Sequence, residues 1–467
     1  MRIYKNPITL ILLYFIIGIL TILFFDGTGD SGDSIYHYLY AKYAFSEPSL
    51  FFDHWAKPLY VLIFSPFAQF GFEGVQVLNL LFVSSTLFLT AKISSKWFDS
   101  PNYFALTLLI FAPLYFVLTF SGLTEPMFAF LLTLGVYLYL SKNVKWGFII
   151  ISFLPFVRSE GLLFIAFFAF FELLCKNWKA LIYLLTGTAI YSIIGFSTYN
   201  DLLWVFTKIP YASTSSVYGS GDFFHFFEQL LYVVGIPFYI LIWIGVIVMS
   251  IKVFQDKKNF KLYYVFVLGA GMFIVAHSLF WYLGIFNSMG LKRVLICILP
   301  LLAIVASEGW TFIFKMIKKT NRYLANTFLI LSLLLIALFP FSGNKAALNL
   351  KHDLSLSLEQ EIAQEVKGFI NNEDIQFEKI FGGHPYVNMI LDVNPFSNNE
   401  FEFLGLDSYK HMGKNDLIIW DNWFSIVEQG VPLEKLESND SLEKIFFKKK
   451  MNHKGRTVIY AVFMKIN

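Results

Sequence analysis

Long apolar runs recur along most of the chain, and short polar connections separate them. Nine of these runs are long enough, or nearly so, to cross the hydrocarbon core of a bilayer as helices. They lie at approximately 8–25, 74–95, 102–119, 123–140, 178–198, 226–251, 261–284, 292–315 and 323–341. A further stretch, 146–174, exceeds one span, but the polar segment 157–161 interrupts it and predicts two short helices that meet at a polar apex. The pattern therefore predicts an α-helical, polytopic membrane protein with about 11 transmembrane helices.

The cations are distributed unevenly over the connections, and this distribution orients the helices. If the N-terminus, with Arg2 and Lys5, is cytoplasmic, alternate connections carry Lys92, Lys96, Lys142, Lys145, Lys176, Lys179, Lys252, Lys257, Lys258, Lys261, Lys315, Lys318, Lys319 and Arg322. The opposite side carries only Lys42, Lys57, Arg158, Lys208, Lys292 and Arg293. This assignment requires that the apolar piece 58–70 lies along or partly within the membrane without crossing it. We therefore expect a multi-pass protein of the cytoplasmic (inner) membrane with a cytoplasmic N-terminus.

Composition supports a division into two domains. Of the 467 residues, 57% are hydrophobic and 15% are charged, and a mean hydropathy of +0.60 excludes a soluble globular protein. From Phe341 onward, however, the chain holds 14 Lys and Arg against 18 Asp and Glu. We predict a transmembrane domain at 1–341 and a small extracytoplasmic α/β domain at 342–467, hereafter called the tail. Within the tail, Ser357 precedes an amphipathic helical pattern, and short β-like runs follow it.

The segment just after the first apolar run is rich in acidic residues. It contains Asp26, Asp30 and Asp33, and His37 follows Asp33 by about one helical turn. Because residues four apart share a helical face, Asp33 and His37 could bind a metal or form an acid supported by an imidazole. The alternative is a solvated loop, since Asp and Gly are favoured wherever a helix begins. The cation distribution places this segment on the outer side, where the few outer cations could act as its partners.

Two further candidates lie at the ends of predicted helices on the same side. Lys57 follows His54 and Trp55 at the mouth of the non-crossing piece, where an ammonium can bind a phosphate and an aromatic ring can stack on a sugar. Snorkelling of Lys57 to lipid headgroups is the alternative. Glu125 opens a helix just before Pro126, where the helix dipole alone would favour an acid.

Charged residues also occur where the outer side meets apolar runs. Arg158 and Glu160 lie at membrane depth, where such groups either pair with one another or line a functional cavity. Arg293 begins a helix on the side where cations are depleted, so positive-inside anchoring does not explain it, whereas an anionic ligand would. His277 lies inside a predicted span and is interpreted as an interior histidine.

The order of these segments resembles that of a known superfamily. A first helix is followed by Gly32-Asp33-Ser34-Ile35-Tyr36, Lys57-Pro58-Leu59-Tyr60, Thr124-Glu125-Pro126, Arg158-Ser159-Glu160-Gly161 and the segment 290–293. This order is similar to that of the GT-C superfamily of integral-membrane glycosyltransferases, and it looks closest to the bacterial branch akin to protein O-mannosyltransferases and the lipid A aminoarabinose transferase. The resemblance covers most of residues 1–341. It departs from the aminoarabinose group because Asp33 is followed by Ser34 rather than by Glu, and Lys57 by one proline rather than two.

The resemblance implies transfer of a sugar, with inversion, from a polyprenyl-phosphate donor to an extracytoplasmic acceptor, which could be a lipid, a glycan or a protein. It implies that Asp33 acts on the acceptor hydroxyl as base or orienter and that Lys57 lies near the donor phosphate. Arg158 and Arg293 are looser matches, as further phosphate contacts. The other candidate substrate-binding residues are Asp30, His37, His54, Glu125 and Glu160.

Expected partners are the lipid-linked donor, the acceptor and membrane lipids, and no nucleic acid is expected. No metal-ligand residues are assigned, although a divalent cation is kept as a candidate cofactor. Cys175 and Cys297 lie in apolar runs and indicate neither a disulfide framework nor a cysteine-based metal site. Two other function classes stay open: a transporter or flippase of lipid-linked sugars, and a non-catalytic membrane scaffold. Against the transporter, the polar residues cluster at one face and the hydropathy shows no inverted halves.

Overall fold

A helical bundle followed by a tail with a five-stranded sheet makes up the protein. The computed structural model describes residues 7–98, 101–210, 218–343, 345–451 and 455–466. Arg2 and Lys5, on which the predicted orientation of the N-terminus depends, lie outside the described residues.

The bundle comprises eighteen α-helices in the described residues. They are α1 Pro7–Phe24, α2 Asp33–Tyr43, α3 Pro58–Ala68, α4 Phe72–Trp97, α5 Asn102–Ile110, α6 Pro113–Thr119, α7 Glu125–Leu140, α8 Val144–Ser152 and α9 Gly161–Leu174. The second half contains α10 Trp178–Leu184, α11 Thr186–Tyr199, α12 Trp204–Thr207, α13 His225–Val234, α14 Ile236–Gln255, α15 Phe260–Tyr263, α16 Gly269–Leu283, α17 Leu299–Thr320 and α18 Arg322–Leu338. A 3₁₀ helix, Lys292–Ile298, leads into α17, and a π-helical turn, Tyr264–Leu268, joins α15 to α16.

Seven helical stretches among the described residues are long and apolar enough to cross a membrane. They are Pro7–Phe24, Phe72–Trp97, Trp178–Tyr199, Ile236–Gln255, Lys257–Leu283, Lys292–Thr320 and Arg322–Phe341. Large apolar side chains such as Leu12 and Leu23 on α1, and Leu331 and Leu335 on α18, are exposed on the surface of the bundle. Apolar surface of this extent is typical of contact with lipid. The predicted class of a helical, multi-pass membrane protein with a C-terminal α/β unit is thus confirmed, while the number of crossings stays a prediction.

Three of the predicted runs show how the sequence controls helix boundaries. The run 102–119 is divided into α5 and α6 at Pro113, because proline lacks an N–H and restricts the residue before it. The stretch 146–174 forms α8 and α9, and Arg158 and Glu160 lie between them, as predicted. The piece 58–70 forms only α3, whose 11 residues are too few to cross a bilayer as a straight helix.

Helix α17 forms the centre of the bundle. Its first half, from Leu299 to Thr311, is buried throughout. Glycines allow α14 to approach it closely, since a Cβ on Gly245 would lie 1.9 Å from the carbonyl oxygen of Val305. Trp310 of α17 stacks on Phe104 of α5 with ring centroids 4.1 Å apart. The 3₁₀ helix that bears Arg293 is therefore attached to the most rigidly packed part of the molecule.

The tail is a mixed α/β unit. Its helices are α19 Leu350–Asp353, α20 Leu358–Asn372, α21 Pro385–Leu391 and α22 Leu433–Glu437, and its strands are β1 Ile380–Gly382, β2 Phe401–Phe403, β3 Leu417–Asp421, β4 Leu442–Met451 and β5 Thr457–Lys465. The strand order is β2-β1-β3-β5-β4, with β1 parallel to β2 and β3, and β5 antiparallel to β3 and β4. The hydroxyl of Tyr36 on α2 donates to the carbonyl oxygen of Gly383, just after β1, at 3.1 Å. The tail therefore contacts the helix that begins at Asp33.

Candidate active site

The acidic segment forms a tight loop that ends at the first turn of α2. Gly29 adopts φ +73°, and a Cβ at this position would also lie 2.7 Å from the Ser121 side chain. One carboxylate oxygen of Asp30, Oδ1, accepts a hydrogen bond from the Gly32 amide at 2.7 Å, which closes the loop. Asp33 is the first residue of α2, where the helix dipole stabilises a negative charge.

Arg293 connects this loop to the centre of the bundle. Its guanidinium contacts Asp30 Oδ2 at 2.7 Å, Asp33 Oδ2, and Glu125 Oε1 at 3.4 Å. Burial would raise the pKa of Asp33, but the charge of Arg293, with a smaller effect of Arg158, outweighs burial and holds the pKa below its usual value. Asp33 is therefore ionised at neutral pH.

Arg158 binds the same buried carboxylate from the other side. Its Nη1 atom lies 2.9 Å from Glu125 Oε1 and 3.1 Å from Thr124 Oγ1, and its Nη2 atom lies 2.9 Å from Glu160 Oε1. Glu125 is fully buried between the two arginines, which pair its charge, but in the described residues neither of its carboxylate oxygens accepts a hydrogen bond.

Lys57 differs from both arginines. Its Nζ atom donates to the carbonyl oxygen of His54 at 2.9 Å and to Ser159 Oγ at 2.8 Å, and the described residues provide no carboxylate within ion-pair distance. Burial lowers the pKa of Lys57 to about 8. Its backbone has φ 72° and ψ 105°, a conformation that is costly for a residue other than glycine and that is found most often at functional sites.

The two histidines of the predicted site have different surroundings. His37 is buried and stacks on Trp55 with ring centroids 5.0 Å apart, and burial lowers its pKa to about 3, so the imidazole is neutral. We predicted from the sequence that the His37 imidazole could support Asp33 as an acid. In the described part of the structure, however, no hydrogen bond joins the two side chains. The side chain of His54 lies outside the cavity and its Nε2 atom is 3.0 Å from the carbonyl oxygen of Val205, although its backbone carbonyl holds Lys57.

A cavity of about 490 Å³ connects these groups. Its lining includes the predicted residues Asp33, His37, Lys57, Arg158, Glu160 and Arg293. Asp30 and Glu125 do not line it but contact it through the arginines. The remaining wall is largely apolar and aromatic, with Trp55, Phe226, Phe280, Phe286 and Met289. The site thus combines a charged floor with apolar walls, as expected for an amphipathic ligand.

Several residues of the cavity were not predicted from the sequence as site residues. His277 lines it and lies 3.9 Å from Glu160 Oε1, and Phe280 follows one turn later on the same face of α16. A helical pattern of polar and aromatic residues could have indicated them. Tyr218 also lines the cavity, and its hydroxyl donates to Glu428 of the tail at 2.9 Å. The tail therefore contacts a residue that lines the cavity, which sequence spacing does not reveal.

The described acidic groups of the site do not form a cluster of the kind that holds a divalent cation. The described residues contain no group of three or more His, Cys, Asp or Glu side chains arranged to hold a metal ion. Asp30 and Asp33, the two carboxylates of the acidic loop, are both bound by Arg293. A cation between them would have to displace this guanidinium, so the present arrangement does not fit a metal.

Comparison with solved structures identifies the fold. The crystal structure of ArnT from Cupriavidus metallidurans bound to undecaprenyl phosphate is similar to this chain with a TM-score of 0.64 and 12% sequence identity, over 97% of both chains. The chain has the ArnT fold. No protein-family model and no curated protein sequence matches it. The similarity to ArnT confirms the expected fold, and it extends to the tail.

Proposed function

We propose that this protein is an integral-membrane glycosyltransferase that moves a sugar from a polyprenyl-phosphate donor to an extracytoplasmic acceptor. The proposal rests mainly on Lys57. In the described residues this lysine has no carboxylate partner, whereas the other cations that line the cavity are paired with carboxylates. The shared fold with ArnT, whose structure contains undecaprenyl phosphate, supports a lipid phosphate as the ligand.

The donor phosphate is assigned to Lys57. An ammonium that donates only to neutral oxygens keeps most of its attraction for an anion, whereas Arg158 and Arg293 are each shared between carboxylates. In a partly dry cavity such a charge stabilises the phosphate that leaves the sugar. The leaving group carries its own negative charge, so the scheme needs no strong general acid.

The acceptor hydroxyl is assigned to Asp33. One oxygen of its carboxylate, Oδ2, binds Arg293, and the side chain is 43% exposed and lines the cavity. The acceptor oxygen attacks the anomeric carbon, its proton passes to Asp33, and the bond from that carbon to the phosphate oxygen breaks. A positioned base of this kind typically contributes about 10²- to 10⁴-fold. Direct displacement inverts the anomeric configuration.

The contacts of the tail indicate on which side of the membrane the site lies. The tail contacts Tyr36 on α2 and also Tyr218, which lines the cavity, so we infer that the tail and the site lie on one side of the membrane. The cation distribution assigns that side to the exterior of the cytoplasmic membrane, with the N-terminus in the cytoplasm. The scheme uses no divalent cation.

Radiolabelled polyprenyl-phosphate sugar, incubated with purified protein in detergent and a panel of lipid, glycan and protein acceptors, tests the proposal. A transferase breaks the glycosidic bond of the donor and moves the label to an acceptor. A flippase in proteoliposomes moves the donor with this bond intact, and a scaffold binds the donor without turnover. Either of these last two results would overturn the proposal. Mass spectrometry of envelope glycans and lipid-linked intermediates in a deletion strain then identifies the sugar and acceptor.

A further inference from the structure

The loop that carries Asp30 and Asp33 is supported by a series of buried hydrogen bonds. The hydroxyl of Thr28 donates to the carbonyl oxygen of Asp30 at 2.8 Å. The carbonyl oxygen of Thr28 accepts a hydrogen bond from Ser34 Oγ at 2.7 Å, and Ser34 Oγ accepts one from the Gly122 amide at 2.7 Å. Thr28 and Ser34 are both buried. The loop is therefore held by specific polar contacts rather than by solvent.

The series continues into the tail. Gln360 donates from Nε2 to the hydroxyl oxygen of Thr28 at 2.8 Å, across 332 residues of sequence. Gln360 lies in the first turn of α20 and is only 2% exposed. Its amide oxygen accepts from the Ser357 amide at 2.9 Å, which completes the capping box of α20. One side chain thus caps a helix of the tail and binds the loop of the candidate site.

We propose that Gln360 is a positioning residue for the transfer reaction and acts through Thr28 on the loop that presents Asp30 and Asp33. The proposal rests on the proposed function for its kinetic consequence. A hydroxyl has one proton, and the N–H of Gln360 occupies the oxygen of Thr28 as an acceptor, so the Thr28 proton points to the Asp30 carbonyl. Hydrogen bonds arranged in such a series strengthen one another. The tail therefore forms part of the catalytic unit.

Loss of this one contact does not detach the tail. The Gly27 amide donates to the carbonyl oxygen of Leu354 at 2.8 Å, and Tyr36 donates to Gly383 at 3.1 Å. These contacts do not involve Gln360. A defect caused by its substitution is therefore expected in the geometry of the loop, not in the docking of the tail.

The substitution Gln360→Glu separates the two roles of the residue. A glutamate at this position still accepts from the Ser357 amide and preserves the capping box, but it has no N–H for Thr28. The Thr28 hydroxyl then donates to the new carboxylate and releases the Asp30 carbonyl. Gln364→Glu is the control for the charge change, because it makes the same change one turn later at an exposed position, where Gln364 donates to the Tyr386 hydroxyl within the tail at 2.9 Å.

Kinetics and hydrogen exchange test the proposal together. We expect Gln360→Glu and Thr28→Val each to lower kcat about 10-fold with a donor KM within about twofold of wild type, because small misplacement of a reacting group is costly to the chemical step. Thr28→Ser and Gln364→Glu should retain kcat, and the double variant should lose no more than either single variant. Amide exchange of segment 27–34 should accelerate in Gln360→Glu and not in Gln364→Glu.

Two results would overturn the positioning role: equal effects of Gln360→Glu and Gln364→Glu on kcat, or unchanged exchange of segment 27–34 in Gln360→Glu. The exchange measurement does not depend on turnover. Faster exchange in a protein whose wild type transfers no sugar would support the link from the tail to the loop while the proposed function fails.

Discussion

The cavity has two groups of cations that differ in their partners. Arg293 contacts three carboxylates, those of Asp30, Asp33 and Glu125, whereas within the described residues the Lys57 ammonium donates hydrogen bonds only to the neutral oxygens of His54 and Ser159. A guanidinium in a fork of carboxylates orients them, while a lysine without such a partner is available to an external anion. The number of cations in a cavity therefore says less about ligand binding than the way each cation is paired.

The backbone reinforces this difference. Arg293 lies on a regular 3₁₀ helix that continues into the buried α17, so its position follows from packing. Lys57 instead has a positive φ directly before Pro58, a conformation that packing alone does not favour. Arg293 is thus held by regular, buried structure on one side of the cavity, whereas Lys57 on the other side has a strained backbone.

The largest effect is expected at Asp33. Asp33→Asn preserves the shape of the side chain but removes the base, so kcat should fall about 10²- to 10⁴-fold. Asp26→Asn, in the same acidic segment but outside the cavity lining, is the control and should retain kcat. Purified protein assayed with labelled donor provides both values, and full activity of Asp33→Asn would show that the base lies elsewhere.

The next effect tests the Arg293 side. Lysine cannot reproduce the planar fork that reaches three carboxylates, so Arg293→Lys should lower kcat about 10- to 100-fold and reduce thermal stability in detergent. The donor KM should change little, because the proposed role of Arg293 is to hold Asp33. A large rise in donor KM at constant kcat would instead assign the phosphate to Arg293 and reverse the comparison.

These assignments show what a single sequence can and cannot predict. Apolar runs and an interrupting polar segment were enough to predict the membrane fold and the apex at Arg158, since hydropathy acts locally. The role of Glu125 was not predictable, because a helix start explains an acid there equally well, and its two arginines come from distant segments. Nor did spacing indicate that the side chain of His54 turns towards Val205 rather than the cavity.

Lys57 should show an effect of similar size, but chiefly on donor binding. Lys57→Met removes a charge-assisted contact worth about 1.5–3 kcal/mol, so the donor KM should rise about 10- to 100-fold. Lys208→Met, an exposed lysine on the same side, is the matched control and should leave the KM unchanged. If Lys57→Met left the donor KM unchanged, Lys57 would not bind the donor phosphate. The difference in carboxylate partners between Lys57 and Arg293 would then have no role in donor binding.

The smallest effect is the dependence of donor binding on pH. Burial lowers the pKa of Lys57 to about 8 in the ligand-free protein, so the lysine is charged below this pH and becomes neutral above it. Because the phosphate requires the charged form, kcat/KM for the donor should be constant near pH 6.5, fall about twofold at pH 8 and continue to fall above it. Lys57→Arg keeps its charge throughout this range, so its profile should be flat even if its kcat/KM is lower. A decline of equal size in both proteins would show that another group titrates, whereas a difference confined to the lysine form would identify Lys57 as the phosphate cation.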